Sequence, residues 1–178
     1  TMACASCHLP DRAFTDGRPT SIGATGEDHP RNAMSLSNVV YNATFNWANP
    51  GLTTLHAQAL VPIFGEFPLE LGWSDHETEI LDRFRQDVIY QKLFAEAYPG
   101  AAEPVSADRV TKALAAFESI LISGNSPYDQ ATFQGNPNAM SVSARRGQEL
   151  FFSERMECFH CHGGFNFSQS VNHAGTRL

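Results

Sequence analysis

Two Cys-x-x-Cys-His motifs, one near each end of the chain, contain all of its cysteines. The thiols belong to Cys4, Cys7, Cys158 and Cys161. Two thiols three positions apart can bond to the two vinyl groups of one haem, and the histidine that follows can bind the iron. The spacing therefore predicts two covalently bound c-type haems, with His8 and His162 as ligands of the haem irons.

Covalent haem explains these motifs better than other uses of paired cysteines. A zinc site could take all the thiols, but zinc ligands usually lie close together in sequence, whereas these pairs lie near opposite ends of the chain. A thioredoxin-like redox pair would not need the following histidine. A faint repeat supports two equivalent units, because Phe14-Thr15 follows the first motif much as Phe167-Ser168 follows the second.

The composition indicates an acidic protein with a hydrophobic core. Its 178 residues, 42% of them hydrophobic, allow one domain or two small ones. A net charge of -7 argues against a nucleic-acid partner. No apolar run approaches the roughly 20 residues that span a bilayer. Bacteria attach haem covalently outside the cytoplasm, so we expect a periplasmic protein whose signal peptide has been removed.

The pattern between the two motifs is helical. Ser74 and Glu77 have the spacing of a capping box, and the apolar residues that follow predict a helix over 74–98. A second helix is predicted over 106–124, and a third over 141–152, directly before the second motif. We expect these helices to form the scaffold rather than to carry chemistry.

We predict an all-α fold with long loops and little strand. Residues 9–72 are rich in Asn, Pro and Gly, which indicates loops wrapped around a cofactor. The composition changes over 125–138, which marks the boundary between two cytochrome c-like haem domains, predicted at 1–135 and 136–178. A helix is predicted directly before the second motif, but the first motif has no matching helix before it. Few residues follow the second motif. We therefore expect a fragment of a longer protein.

Residues between the motifs extend the pattern. They are Ala13-Phe14-Thr15-Asp16-Gly17, Arg31-Asn32-Ala33, Trp47, Gln58-Ala59, Pro62 and Glu70-Leu71. Together with both motifs, this order resembles the bacterial di-haem cytochrome c peroxidase and MauG superfamily over essentially the whole chain. Some segments are most similar to the methanobactin-associated MbnH branch of MauG-like proteins. They are His29-Pro30-Arg31-Asn32-Ala33-Met34-Ser35-Leu36, Trp47-Ala48-Asn49-Pro50 and Phe64-Gly65-Glu66.

The resemblance implies where the peroxide chemistry takes place. The family binds hydrogen peroxide at its amino-terminal haem, which here is the haem on His8. It places a carboxylate in that pocket, at the position that Glu70 matches, and a carboxylate suits proton transfer to and from the O–O bond. The match needs a short insertion, so Glu66 stays a competitor, and either glutamate could be a solvated loop residue. Gln58 would line the pocket as a neutral hydrogen-bonding amide or be a surface side chain.

The resemblance also implies an electron-transfer residue and a calcium ligand. Trp47 matches a tryptophan that carries electrons between the two haems, and the alternative is an aromatic side chain that fills space between domains. Asn32 matches a position whose side chain binds calcium, an ion that prefers oxygen ligands. The alternative for Asn32 is a residue that caps a turn.

The loop around Gly23 departs from the family pattern. Classical peroxidases of the family often carry a histidine there, which caps the first haem until reduction releases it, and this chain has none. His29 lies nearby, but a lone loop histidine is more often structural or exposed. The departure implies a first haem that reacts with peroxide without prior reduction. The sixth ligand of the second haem would lie beyond Leu178.

The implied function is that of a periplasmic di-haem oxidoreductase. It would activate hydrogen peroxide at the first haem, share oxidising equivalents with the second haem through Trp47, and oxidise an aromatic residue of a partner protein. One alternative is a classical cytochrome c peroxidase that takes electrons from a small cytochrome or cupredoxin. A second alternative is a non-catalytic di-haem electron carrier, which would not need Gln58 and Glu70.

Overall fold

The structure is a computed structural model that describes residues 2–169 and the backbone of 172–173 and 176–177. The α-helices of this part are α1 (Leu55–Phe64), α2 (Glu77–Gln86), α3 (Val88–Ala97), α4 (Ala107–Ser119), α5 (Pro127–Phe133), α6 (Val142–Phe151) and α7 (Phe159–His162). Short 3₁₀ turns lie at Cys4–Ser6, Pro10–Arg12, Val39–Tyr41 and Phe165–Phe167. An antiparallel pair joins β1 (Asn172–His173) to β2 (Thr176–Arg177). The prediction of a helical fold with little strand is confirmed.

The chain divides into two compact units. The first contains residues 1–40 and 44–120, and the second contains 41–43 and 121–178. Helices α1 to α4 belong to the first unit, and α5 to α7 belong to the second. The haem-domain limits drawn from the sequence stay a prediction. Within the described residues, no helix is long and apolar enough to cross a membrane.

Helices α1 and α4 pack against each other through a small apolar cluster and a polar contact. Each begins at a capping hydroxyl, Thr54 for α1 and Ser106 for α4, which accepts a backbone N–H from the first turn. The His56 ring of α1 has its Nδ1 atom 2.8 Å from the hydroxyl of Thr111, a fully buried residue of α4. The apolar cluster contains Val39, Phe45 and Leu55, with Leu36 and Ala115 against it.

A second apolar cluster joins α2, α3 and α4. Its buried members are Leu81, Phe94, Val105 and Val110, and the side chains packed against them are Trp73, Phe84, Tyr98 and Leu114. Val88 and Phe117 have the same helical spacing in the sequence as several members of this cluster, but they are exposed. Trp73 precedes α2 and packs against the cluster.

The loop after α1 folds back over the end of that helix. The last carbonyls of a helix have no partner within it. Here the Pro62 carbonyl accepts the Leu71 N–H at 2.9 Å, and the Ile63 carbonyl accepts the Trp73 N–H at 3.0 Å. Residues 65–73 are therefore held beside the carboxyl-terminal turn of α1, and this brings Glu70 back towards the helix.

The single helix predicted over 74–98 is two helices, because Asp87 interrupts it. The Asp87 carboxylate accepts the Ile89 N–H at 2.8 Å and so caps α3. The predicted capping box at Ser74 does not form, because the helix begins only at Glu77. The Ser74 hydroxyl instead donates to the Phe64 carbonyl at 3.0 Å and helps to hold the folded-back loop. The helix predicted to reach residue 124 ends at Ser119.

The second unit is a set of short helices around aromatic side chains. Ser141 caps α6, as the sequence predicted, and the Ser126 hydroxyl and Asp129 carboxylate form a capping box at α5. Phe167 lies at the centre of an aromatic group, with ring-centroid distances of 4.9 Å to Tyr128 and 5.6 Å to Phe151. In the sequence, Tyr128 and Phe151 precede the second Cys-x-x-Cys-His motif and Phe167 follows it.

Candidate functional site

The chain beyond the first motif turns back on His8 and fixes its imidazole. Ala13 and Phe14 have φ values of 54° and 60°, and Thr15 pairs with Leu9 across this turn. His8 Nδ1 lies 2.8 Å from the Phe14 carbonyl oxygen. A carbonyl only accepts hydrogen bonds, so Nδ1 is the donor, and in the neutral ring Nε2 is the nitrogen that can bind a metal. A neutral imidazole held in this way is a metal ligand, with Nε2 as the ligating atom.

The second motif repeats this arrangement. His162 Nδ1 lies 3.3 Å from the Phe167 carbonyl oxygen, and Phe167 also has a positive φ, of 51°. The faint sequence repeat at Phe14 and Phe167 therefore has a structural meaning, because in both places the phenylalanine carbonyl orients the motif histidine. Cys158 is half-buried and Cys161 is exposed. The sequence predicted each motif as one haem-binding unit, but it did not show which carbonyls would hold the rings.

The predicted site residues of the first unit line one cavity of about 610 Å³. They are Cys4, Cys7, His8, Asn32, Trp47, Gln58 and Glu70. Much of the remaining wall is apolar, and it includes Phe14, Leu36, Val39, Phe45, Ile63 and Leu114. The volume lies within the range of about 300 to 1,000 Å³ that is usual for ligand and cofactor sites.

The two candidate glutamates line different cavities. Glu70 lines the cavity that contains His8, whereas Glu66 is exposed and lines a neighbouring cavity of about 1590 Å³. Burial raises the pKa of the Glu70 carboxyl, and the nearby His29 and His8 lower it in part. A carboxyl with a raised pKa holds its proton closer to neutral pH, which suits it to give and take protons. The geometry favours Glu70 over Glu66.

Trp47 and Asn32 lie side by side at the cavity wall. The Trp47 indole N–H donates to the Asn32 backbone carbonyl at 3.2 Å, and the Arg31 guanidinium lies 5.9 Å from the centre of the indole ring. Trp47 is 50% exposed, so it is not a buried packing residue of this unit. Asn32 offers one side-chain oxygen, fewer than the six to eight ligands that calcium takes. Calcium at Asn32 stays a prediction.

The first cavity fits a covalently attached haem. It contains both thiols of the motif, an imidazole whose Nε2 is available to iron, and an apolar wall suited to a porphyrin. The cavity is also lined by the carboxyl of Glu70 and the amide of Gln58, both half-buried. The second motif offers the same thiol and imidazole groups. The thiols and the imidazole of the second motif therefore also suit the attachment of a c-type haem.

Sequence reasoning missed Glu118, a residue of α4 that lines the same cavity. Its Oε2 atom is buried and has no hydrogen-bond partner in the described part of the chain. Burial raises the pKa of Glu118 to about 7. The helical pattern of α4 placed this residue one position after Phe117, but only the packing shows that its carboxyl is desolvated. 

We expect Glu118 to make the stability of the protein depend on pH. The folded-state pKa of about 7 lies above the ordinary value of 4.5, so the folded state binds the proton more tightly than the unfolded state. Its contribution to the free energy of unfolding is therefore complete below pH 4.5 and is lost as the pH rises to about 7. The loss should be on the order of 1 kcal/mol, because the side chain is partly exposed and solvent screens its charge.

Guanidinium unfolding of the full-length holoprotein at a series of pH values checks this prediction. Glu118→Gln should remove the downward slope of stability between pH 4.5 and 7. The matched control is Glu96→Gln, which changes an exposed glutamate of α3 and should keep the slope. Equal slopes in the wild type and in Glu118→Gln would show that Glu118 is not the group responsible.

Comparison with known proteins agrees with this site. A family model described as di-haem cytochrome c peroxidase matches residues 1–138. The chain is 35% identical over 164 residues to the cytochrome c peroxidase Ccp of Escherichia coli. This alignment covers 92% of this chain and 33% of that protein. It is 31% identical over 173 residues to the methylamine utilization protein MauG of Methylorubrum extorquens, covering 97% of this chain and 47% of that protein.

A solved structure is also similar to the chain. It is described as the crystal structure of a MauG-like protein associated with microbial copper homeostasis. The two share 42% sequence identity with a TM-score of 0.89, over 99% of this chain and 50% of the other. The chain thus spans half or less of the length of these relatives. Since the family model covers most of the chain, the chain belongs to the di-haem cytochrome c peroxidase family.

Proposed function

We propose that the full-length protein is a periplasmic oxidoreductase that uses hydrogen peroxide to oxidise an aromatic side chain of a partner protein. The observation that carries this proposal is the shared cavity of His8, Gln58 and Glu70, in which a half-buried carboxyl faces the same space as the iron-binding imidazole. A c-type haem, when bound, supplies the redox centre at which the O–O bond of peroxide can be cleaved.

The residues of the first motif would hold this group. Cys4 and Cys7 would form the thioether bonds, and His8 would bind the iron through Nε2 while Nδ1 donates to the Phe14 carbonyl. This hydrogen bond would keep the ring in one orientation and increase the basicity of Nε2. Cys158, Cys161 and His162 would play the same parts in the second motif.

Glu70 would perform the proton transfers. Its carboxylate would take a proton from one peroxide oxygen and return it to the other, so that the departing oxygen leaves as water. The raised pKa of Glu70 supports this role, because burial makes its carboxylate a stronger base for the first of these two transfers. The Gln58 amide would hydrogen-bond to peroxide without exchanging a proton, since an amide does not titrate.

Trp47 would carry electrons one at a time. Its indole is half exposed and lines the cavity, and its N–H is held by the Asn32 carbonyl. Relatives named MauG and relatives named cytochrome c peroxidase both match the chain. We choose oxidation of a partner protein because the resemblance to MauG-like proteins implies it, and a MauG-like protein is 42% identical to this chain.

Electron paramagnetic resonance of the ferric full-length protein, before and after peroxide, tests this function. We expect one high-spin and one low-spin haem signal, both lost when peroxide is added. In Trp47→Phe the loss of the second signal should be slower, because phenylalanine is harder to oxidise than tryptophan. Two low-spin signals that do not respond to peroxide would support the non-catalytic electron carrier instead.

Mass spectrometry distinguishes the two catalytic versions. Full-length protein, peroxide and the partner should give a partner tryptophan that has gained oxygen. An unmodified partner, together with rapid peroxide loss when a reduced small cytochrome or cupredoxin is added, would assign the protein to the classical peroxidases.

A further inference from the structure

His29 lies in the candidate peroxide cavity beside Glu70. Its side chain is only 10% exposed, and its Nδ1 atom lies 3.8 Å from Oε1 of Glu70. Both residues line the cavity that contains His8. The sequence offered a structural or an exposed loop histidine, and the structure has His29 largely buried beside the carboxyl with the proposed acid–base role. The two residues are far apart in sequence, so only the fold places them together.

The backbone holds this pair in place. The His29 N–H donates to the Ser21 carbonyl at 2.7 Å, which closes the turn that carries the imidazole. The Ala24 N–H donates to the Glu70 carbonyl at 2.9 Å, so the same turn is bonded directly to the residue that carries the carboxyl. Two backbone hydrogen bonds thus set the distance between imidazole and carboxyl.

Gly23 allows this close approach. A Cβ atom at Gly23 would lie 2.2 Å from the Leu69 carbonyl oxygen and 2.7 Å from Nε2 of His29. Real Cβ atoms do not approach other atoms this closely, so any larger residue would push the turn away from Leu69 and Glu70. The lack of a side chain at Gly23 therefore leaves room for the His29 ring beside Leu69 and Glu70.

Several ionisable groups surround the pair, among them the thiol of Cys7, whose pKa is raised mainly by burial and in part by Glu70. His8 lies close enough to lower the pKa of Glu70, as His29 does, while burial acts in the opposite direction. Arg31 and Glu118 line other parts of the same cavity. Glu27 and Asp28, on the turn that carries His29, are exposed. His29 is thus the ionisable side chain that the structure places in a direct ion pair with the Glu70 carboxylate.

We propose that His29 is a positioning residue for the carboxyl of Glu70. The His29 ring, 3.8 Å from Oε1 of Glu70, holds the carboxyl towards the peroxide site. Glu70 can then take a proton from one peroxide oxygen and return the same proton to the other, so the exchange balances without a further proton donor. This inference rests on the proposed role of Glu70.

Infrared spectroscopy of the full-length holoprotein tests the contact between His29 and Glu70 without measuring activity. The C=O band of protonated Glu70 is identified as the band that is absent in Glu70→Gln. His29→Gln should move the pH midpoint of this band upward by about one unit, because a neighbouring cation that favours the carboxylate has been removed. His29→Asn, a smaller side chain, should give the same shift if the glutamine variant folds poorly. An unchanged midpoint would overturn the proposal.

A double-substitution cycle tests the positioning role kinetically. His29→Gln should slow the reaction with peroxide about tenfold at neutral pH, and should have no further effect when Glu70→Gln is already present. An equal loss in both backgrounds would overturn the proposal, because His29 would then act independently of Glu70. If Glu70→Gln alone leaves the reaction unchanged, the proposed function of Glu70 fails, while the infrared shift still reports whether the two side chains are coupled.

Discussion

Glu70→Gln should slow the reaction of the ferric full-length protein with hydrogen peroxide by about 10²- to 10⁴-fold. Glutamine keeps the size and the hydrogen-bonding groups of the side chain but cannot take a proton from one oxygen and return it to the other. The carboxyl lies in the cavity that contains His8, and burial raises its pKa. Stopped-flow absorbance of the haem bands after mixing with peroxide measures the rate constant.

Glu66→Gln is the matched control for this prediction. Glu66 lies four positions earlier in the same loop and is the competing candidate from the sequence, but it is exposed and lines the neighbouring cavity. Its substitution should change the rate constant by less than about twofold, since exposed side chains away from a site contribute little to catalysis. A large loss in Glu66→Gln with normal rates in Glu70→Gln would reverse the assignment.

Replacing both thiols of one motif should halve the covalent haem content of the protein. Cys158→Ala with Cys161→Ala should leave one covalent haem, attached at Cys4 and Cys7, because each thiol pair bonds to one porphyrin. The haem that remains should still respond to peroxide, since Glu70 lies in the cavity of the first motif. The pyridine haemochrome absorbance per protein, measured after denaturation, gives the number of haems.

The reciprocal substitution and a control complete this test. Cys4→Ala with Cys7→Ala should also leave one haem, but the reaction with peroxide should be lost. Ser6→Ala, inside the first motif, keeps both thiols and should keep both haems. Full covalent haem content after either double substitution would show that the thiols are not the attachment points. Zinc without haem in the wild type would support the alternative of a zinc site on the cysteine thiols.

The capping and core patterns show how far local sequence reasoning reaches. Ser106 and Ser141 each predicted the start of a helix, and the structure has both. A cap depends on hydrogen bonds within a single turn, so its signal is local. Ser74 does not cap α2, and its hydroxyl instead donates to the Phe64 carbonyl across the loop. The same kind of residue gave a correct or a wrong prediction according to whether a distant acceptor competed.

The sequence by itself predicted the haem chemistry, because three motif positions carry both thiols and the imidazole at a spacing that needs no tertiary contact. The order of the residues between the two motifs indicated the family. Only the tertiary structure decided which glutamate shares a cavity with His8. Glu66 and Glu70 belong to one loop without periodicity, and their separation depends on the α1 carbonyls that bind the Leu71 and Trp73 N–H groups. The nearness of His29 to Glu70 likewise depends on the fold, since backbone hydrogen bonds between distant segments set that distance.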